Sequence, residues 1–300
     1  MANKLVQYNV VGKKETVRSL TKSGKKSWLS WSGIAITSAL LLLYFLAVAY
    51  PLFWMVINSF KETNEIFRSS WALPSKWMFS NYQEAWATGV SKFFLNSVFV
   101  TVMTVLFTVI LSALCAFGLA RFEFKGKLII LGLLTAGLMF PPQVSLIPLY
   151  KLVQLMGIYD THWALIIPYV AFRISLIMLL IRSFFLQIPK ELEEAAYLEG
   201  CSIFGVFFRI YLPLSKPILV TSMLLTAYWA WNEFLFANLF IDSDAQKTIT
   251  AGLLAFRDAL YTNWGVLMAG LVISSLPLII LFLFIQKSFV RGLADGGVKG

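Results

Sequence analysis

Residues 93–120 read FFLNSVFVTVMTVLFTVILSALCAFGLA, without one Asp, Glu, Lys or Arg. At ~1.5 Å of rise per residue, about 20 apolar residues cross a hydrocarbon core of about 30 Å, so this run spans a bilayer as a helix. It is too long for a membrane strand and lacks the alternation of a barrel. In lipid the backbone N–H and C=O groups must be satisfied within the segment, which leaves the helix. Five further apolar stretches lie within 31–60, 128–150, 162–181, 217–241 and 259–286, the fourth carrying Arg173 and the fifth Glu233. Composition agrees: 59% of residues are hydrophobic and 13% charged, against roughly 45–50% and 25% in soluble domains. Aromatics at 16% suit a chain that needs interfacial anchors. The expectation is an all-α membrane protein with six transmembrane helices.

Outward from these spans, the connections set orientation. Seventeen Lys and Arg fall in the two terminal stretches and every second connection, and seven in the other connections. Positive charge collects on the cytoplasmic side, so both termini are expected in the cytoplasm of a bacterial cell membrane, as an even number of spans requires. Although the net charge is +10, the basic residues form no single face for nucleic acid. Ala47-Val48-Ala49 resembles a signal-peptide cleavage site, but about thirty residues precede the apolar run and the run continues through Ile57; an uncleaved span is expected. The chain thus divides into a basic cytoplasmic tail (1–30), a first span (31–60), an outer loop (61–92), a core (93–287) containing the inner loop 182–217, and a second tail (288–300). The outer loop, with Trp71, Pro74, Trp77, Asn81, Tyr82 and Trp86, is expected to lie along the headgroups.

The inner loop holds four of the fifteen acids, Glu191, Glu193, Glu194 and Glu199. Pro189 suits a first helical turn, where its missing N–H is no loss. The acids at 191, 193 and 194 then sit near a positive helix end. Gly200 is placed to end that helix. Ile203, Val206, Phe207 and Ile210 repeat at helical spacing, and Pro213 and Pro217 break the second helix before the fifth span. Interfacial helices lying on lipid usually carry Lys and Arg, whereas this one is led by glutamates facing an anionic leaflet. A protein partner is the better expectation.

The same residues resemble the signature loop of the membrane subunits of binding-protein-dependent ABC importers: Glu194-Ala195-Ala196, then Gly200, then Ile210, Leu212 and Pro213. Asn96-Ser97, Ala120-Arg121-Phe122 with Phe124-Lys125-Gly126, Trp231-Asn232-Glu233-Phe234 and Val298-Lys299-Gly300 are similar to the carbohydrate branch, in particular the six-span, maltose-type permease subunit. Glu199 stands where many relatives have aspartate and keeps the charge. The resemblance implies a type I ABC importer permease fold. It also implies a loop, 189–213, that inserts into a cleft on a separate ATPase subunit, with Glu193, Glu194, Ala195, Ala196, Glu199, Gly200, Ile210, Leu212 and Pro213 as coupling residues. The partners implied are a second permease, two ATPase subunits that carry ATP and Mg, an extracytoplasmic solute-binding protein and a sugar. This chain itself is expected to bind no cofactor. Residues 296–300 would reach the ATPase pair.

Catalysis has no support in the sequence. The nearest approach to a phosphate-binding loop, Gly24-Lys25, has Ser19 in place of the first glycine and Lys26 in place of the hydroxyl residue. His162 is the only histidine, which leaves neither a Ser–His–Asp set nor an ordinary metal site. Two features at membrane depth remain open. Arg173 either pairs with Glu233, bonds to backbone carbonyls, or lines the path and meets an anionic group on the solute; the last reading favours an acidic or zwitterionic sugar. Glu233, Asn232, Trp229 and Trp231, with Tyr228, are further path candidates, though structure or gating is the commoner role for Glu233 and packing for the aromatics. Pro141-Pro142 and Pro168 are expected to kink or unwind their helices. A self-contained secondary transporter is the alternative, but it predicts internal repeats and midplane carboxylates, and neither is seen. A membrane scaffold or sensor would need a soluble domain for which no segment is long enough.

Overall fold

The computed structural model describes residues 27–256 and 262–297, with side chains over 33–254 and 262–283. The basic residues 1–26 and the terminal Val298-Lys299-Gly300 lie outside the described residues. All regular structure among the described residues is helical. The chain divides into two units, one ending at Met55 and one beginning at Val56. Helix α1, Ser27–Asn58, runs on through Pro51, and all but its last three residues belong to the first unit.

In the second unit, the outer segment carries α2 (Thr63–Arg68) and α3 (Ser80–Ala85), which passes through a π turn into α4 (Ser91–Arg121). Next come α5 (Lys127–Gly137), α6 (Pro142–Leu155) and α7 (Trp163–Phe185). The inner loop forms α8 (Lys190–Leu198) and α9 (Ile203–Leu214). After these come α10 (Lys216–Asn232), α11 (Leu235–Phe240), α12 (Ile249–Gly252) and α13 (Trp264–Gly297). Four helices are individually long and apolar enough to cross a membrane, and six crossings result if the bent pairs α5–α6 and α9–α10 each make one.

Helix boundaries depart from the apolar runs where the backbone is interrupted. The third run, expected over 128–150, breaks ahead of Pro142, and its two halves meet at 92°. The fifth, expected over 217–241, stops at Asn232 and restarts at Leu235. The sixth, expected over 259–286, begins at Trp264 and continues to Gly297. Pro168 does not unwind its helix: α7 is continuous through it. Neighbouring helices and local adjustment let a membrane helix absorb one lost N–H, whereas adjacent prolines at 141 and 142 remove two.

The centre of the second unit is the packing of α4 on α7, its most extensive helix contact, with α10 laid against both. On α4 the buried stripe is Ser97, Thr101, Thr104, Thr108 and Ser112, continued by Ala113, Ala116 and Ala120. Small side chains allow close approach where no hydrophobic gradient drives helices together. The opposite face carries exposed Leu95, Val102, Leu106 and Ile110.

The outer segment is more built than its sequence suggests. Asn81, expected at the headgroups, is buried and its amide donates to the carbonyls of Ser59 (2.8 Å) and Lys61 (2.9 Å). The Lys61 ammonium, also buried, donates to the carbonyl of Ser69 at 2.9 Å. The start of α13 presses on this knot: a Cβ on Gly265 would lie 2.2 Å from the Lys61 carbonyl oxygen. Trp71, Trp77 and Trp86 remain exposed, as expected of interfacial anchors.

Candidate functional site: an acid-led elbow and a cavity between broken helices

The elbow is built from α8 and α9. Pro189 forms the cap of α8 rather than its first turn, and Glu191 and Glu193 occupy that turn. The helix ends in a Schellman arrangement: the N–H of Cys201 donates to the Ala196 carbonyl (2.9 Å) and that of Gly200 to Tyr197 (3.0 Å). Gly200 adopts φ +80°, which favours glycine. Ser202 then caps α9 by accepting from the Gly205 N–H. Between Pro213 and Pro217 the chain turns by 78° into α10. Those two prolines mark the bend, as the spacing predicts.

Within the elbow the candidates separate by direction. Glu194, Ala195, Glu199, Gly200 and Pro213 are exposed. Ala196, Ile210 and Leu212 pack inward on the core formed by the ends of α4 and α7. Glu193 also turns inward. It forms an ion pair with Arg121 at 3.5 Å and accepts hydrogen bonds from the hydroxyls of Tyr211 (3.0 Å) and Tyr197 (3.2 Å). Burial, with the Glu193 carboxylate beside it, raises the Tyr197 phenol above its usual range. Arg121, at the end of α4, also donates to the carbonyls of Phe185 (2.9 Å) and Ile188 (2.6 Å), just past the end of α7. Its guanidinium lies 4.8 Å from the Tyr211 ring centroid. Two helix ends and the elbow are thus tied at one point. Sequence reading noted Arg121 only within a motif; its partner Glu193 lies 72 positions on, so no local pattern reveals the tie.

At membrane depth a cavity of about 490 Å³ opens between the two helix breaks. The turn after α5 supplies Leu138, Pro142 and Gln143, α7 supplies Phe172 and Arg173, and the α10–α11 break supplies Tyr228, Trp229, Asn232 and Glu233. Four of the five path candidates (Arg173, Trp229, Asn232 and Glu233) therefore meet at one wall. Trp231 does not: it is 5% exposed and its indole N–H donates to the Ser274 carbonyl, so it packs α10 on α13. The Arg173–Glu233 pair does not form either. Glu233 accepts from the Tyr169 hydroxyl and from the backbone N–H groups of Phe236 (2.9 Å) and Ala237 (3.2 Å), and so caps the restarted helix. Arg173 instead lies over Trp229, 4.1 Å from the ring centroid.

At the far end, Asn96 and Ser97, known from the sequence only as a motif, pin the segment between α11 and α12. The Asn96 amide donates to the carbonyls of Ala245 and Lys247, both at 2.9 Å, and Ser97 accepts from the Ile249 N–H. Asp160 adds a second pin, accepting from the Asp242 and Ser243 N–H groups at 2.9 Å each. His162 lies against Phe99 at the start of α7, away from the elbow.

Among the described residues the structure is all-helical, with interrupted membrane-length helices and an acid-led elbow between two of them. The chain belongs to the family of binding-protein-dependent transport system inner membrane components, whose model matches residues 108–295. It is 60% identical over 260 residues, 87% of each chain, to the probable ABC transporter permease protein YurM of Bacillus subtilis (strain 168). It is 34% identical over 266 residues to the diacetylchitobiose uptake system permease protein NgcG of Streptomyces coelicolor, covering 87% of this chain and 88% of that one. Its fold matches a chain in the crystal structure of a bacterial ABC transporter involved in import of the acidic polysaccharide alginate, with a TM-score of 0.79 at 22% identity. That match covers 88% of this chain and 98% of the other. The fold is therefore that of an ABC importer permease, and the chain is a multi-pass membrane protein.

Proposed function

We propose that this chain is one permease subunit of an ATP-driven sugar importer, working with a second permease, two ATPase subunits and an extracytoplasmic solute-binding protein. Both termini and the α8–α9 elbow face the cytoplasm, and α5–α6 and α9–α10 each count as one crossing of six. ATP and Mg sit on the ATPases, and this chain transmits force without hydrolysing anything. Closure of the ATPases on ATP draws the elbows of the two permeases together, and the cavity changes from inward- to outward-facing. That is alternating access between two packings. The sugar class is supported by relatives such as the diacetylchitobiose permease. The family match speaks against a self-contained secondary transporter.

One observation carries the coupling: α8 presents Glu194, Ala195 and Gly200 outward while Glu193 on the same helix is tied to the ends of α4 and α7. Small outward side chains let a partner's surface come close, and the tie passes displacement inward. A tagged chain, coexpressed with its second permease and ATPase, should therefore retain the ATPase on purification. Glu194→Lys reverses the outward charge, and Gly200→Pro cannot reach a positive φ, so both should lose it while still inserting in the membrane. Equal recovery of the ATPase with both variants would overturn the reading.

A further inference from the structure

Arg173 is the eleventh residue of a 23-residue membrane helix, ~15 Å from its start at 1.5 Å per residue. A charge at such depth is costly and is normally compensated by a partner, by backbone, or by a wet path. No carboxylate pairs with it among the described residues, where the ion pairs are Arg121–Glu193, Lys127–Glu123 and Lys247–Asp244. Its Nε is buried and has no hydrogen-bond partner among the described residues. The acid on the same cavity wall, Glu233, is already committed to Tyr169 and to the start of α11. A purely structural role would be served by turning that carboxylate to the arginine, and the chain does not do so.

The stack on Trp229 engages one face of the guanidinium and leaves its in-plane donors for another group. Trp229 is itself held from the side by Tyr169, edge-on at 5.0 Å. The cation is therefore seated on an aromatic plate that the protein has braced. The cavity in front of it, about 490 Å³, falls within the ~300–1,000 Å³ typical of small-molecule sites. Gln143, Tyr228 and Asn232 give that cavity polar groups suited to sugar hydroxyls.

The geometry points to Arg173 as a subsite for an anionic substituent, a carboxylate or a phosphate, on the saccharide that passes through this permease. The planar guanidinium fork fits either anion with two parallel hydrogen bonds. Trp229 serves as the seat of the arginine, and Tyr228, largely exposed, is the aromatic free to meet a sugar ring. The inference rests on the permease reading above and deepens it.

The test uses the assembled importer, with its second permease and ATPases, in nanodiscs without the solute-binding protein, which would impose its own selection. Saturation-transfer NMR is recorded with D-glucuronate, D-glucose 6-phosphate and D-glucose. At least one anion should bind about tenfold more tightly than glucose, as charge-assisted bidentate bonding implies, and which anion wins separates carboxylate from phosphate. Arg173→Gln should bring the anions down to the affinity of glucose, while Arg173→Lys keeps a reduced preference. Three results overturn the inference: equal binding of all three probes by the unaltered importer, a preference that survives Arg173→Gln, or an equal loss of all three ligands in that variant. ATPase recovery with the Arg173→Gln chain is read in parallel. If the unaltered importer holds its ATPase but shows no anion preference, the subsite is wrong and the permease reading stands.

Discussion

Asp160 shows how much one side chain organises in the loop between α11 and α12. It occupies φ +57°, the only non-glycine residue with positive φ among those described, a conformation Asp and Asn tolerate better than most. Its Oδ1 accepts from two successive N–H groups and from the Ser243 hydroxyl. The Ser243 N–H is the main reason its carboxyl sits below the usual carboxylate range, against a smaller opposing effect of burial. A depressed folded pKa adds stability that is present above the unfolded value of about 3.9 and is lost as pH falls through the folded value. Hydrogen exchange over 242–247 should therefore be unchanged between pH 6 and 8, once intrinsic rates are removed, and accelerate below about pH 4. Asp160→Asn keeps an acceptor and the backbone preference, so it should loosen the loop less than Asp160→Ala, which loses both. Equal exchange in the two variants would refute this. Nothing around position 160 in the sequence announces the pin, because its partners lie more than eighty residues away.

At the scale of elements, the tie between Arg121 and Glu193 makes α8 an extension of α4 and α7. Aromatic rings fill the same junction: Phe117 meets Tyr211 at 4.9 Å, and Phe185 meets Tyr211 at 5.1 Å. Hydrogen bonds to charged groups contribute about 1.5–3 kcal/mol each, so Glu193→Ala should free α8 without unfolding the aromatic core. Exchange over 190–198 is expected to rise roughly tenfold, the factor that ~1.4 kcal/mol represents, while 105–120 stays protected. In the assembled importer, the same variant should keep its ATPase but import less sugar per ATP hydrolysed. A variant that imports normally would show that force enters elsewhere. The α10–α11 break belongs to this scale too. The motif Trp231-Asn232-Glu233-Phe234 was noticed in the sequence, but its roles divide: Trp231 packs, Glu233 caps, and Asn232 faces the cavity. A one-dimensional pattern does not sort neighbours by the direction in which they point.

For the molecule as a whole, the orientation can be checked with a native reporter. Cys201 is free, partly exposed, and sits at the tip of the elbow just after Gly200, whereas Cys115 lies within α4. In a Cys115→Ser chain, a membrane-impermeant maleimide should label Cys201 in inside-out vesicles and not in intact cells. Bound ATPase should protect it. Labelling from outside would place the elbow on the wrong side and end the coupling account.

The membrane class, the helical backbone, the places of the apolar runs and the elbow's helix, glycine stop and proline bend were all legible along the chain. Each depends on local chemistry: apolar length against bilayer thickness, backbone groups that lipid will not satisfy, the φ a glycine permits and the N–H a proline lacks. Folding in three dimensions alone settled that Glu193 turns inward to Arg121, that Glu233 goes to Tyr169 and a helix start rather than to Arg173, and that Arg173 rests on Trp229. Such choices turn on which groups come within a few ångströms of one another across sequence gaps of fifty residues or more. Charge and hydrophobicity read along the chain carry no distances, so they named these residues without saying which would meet.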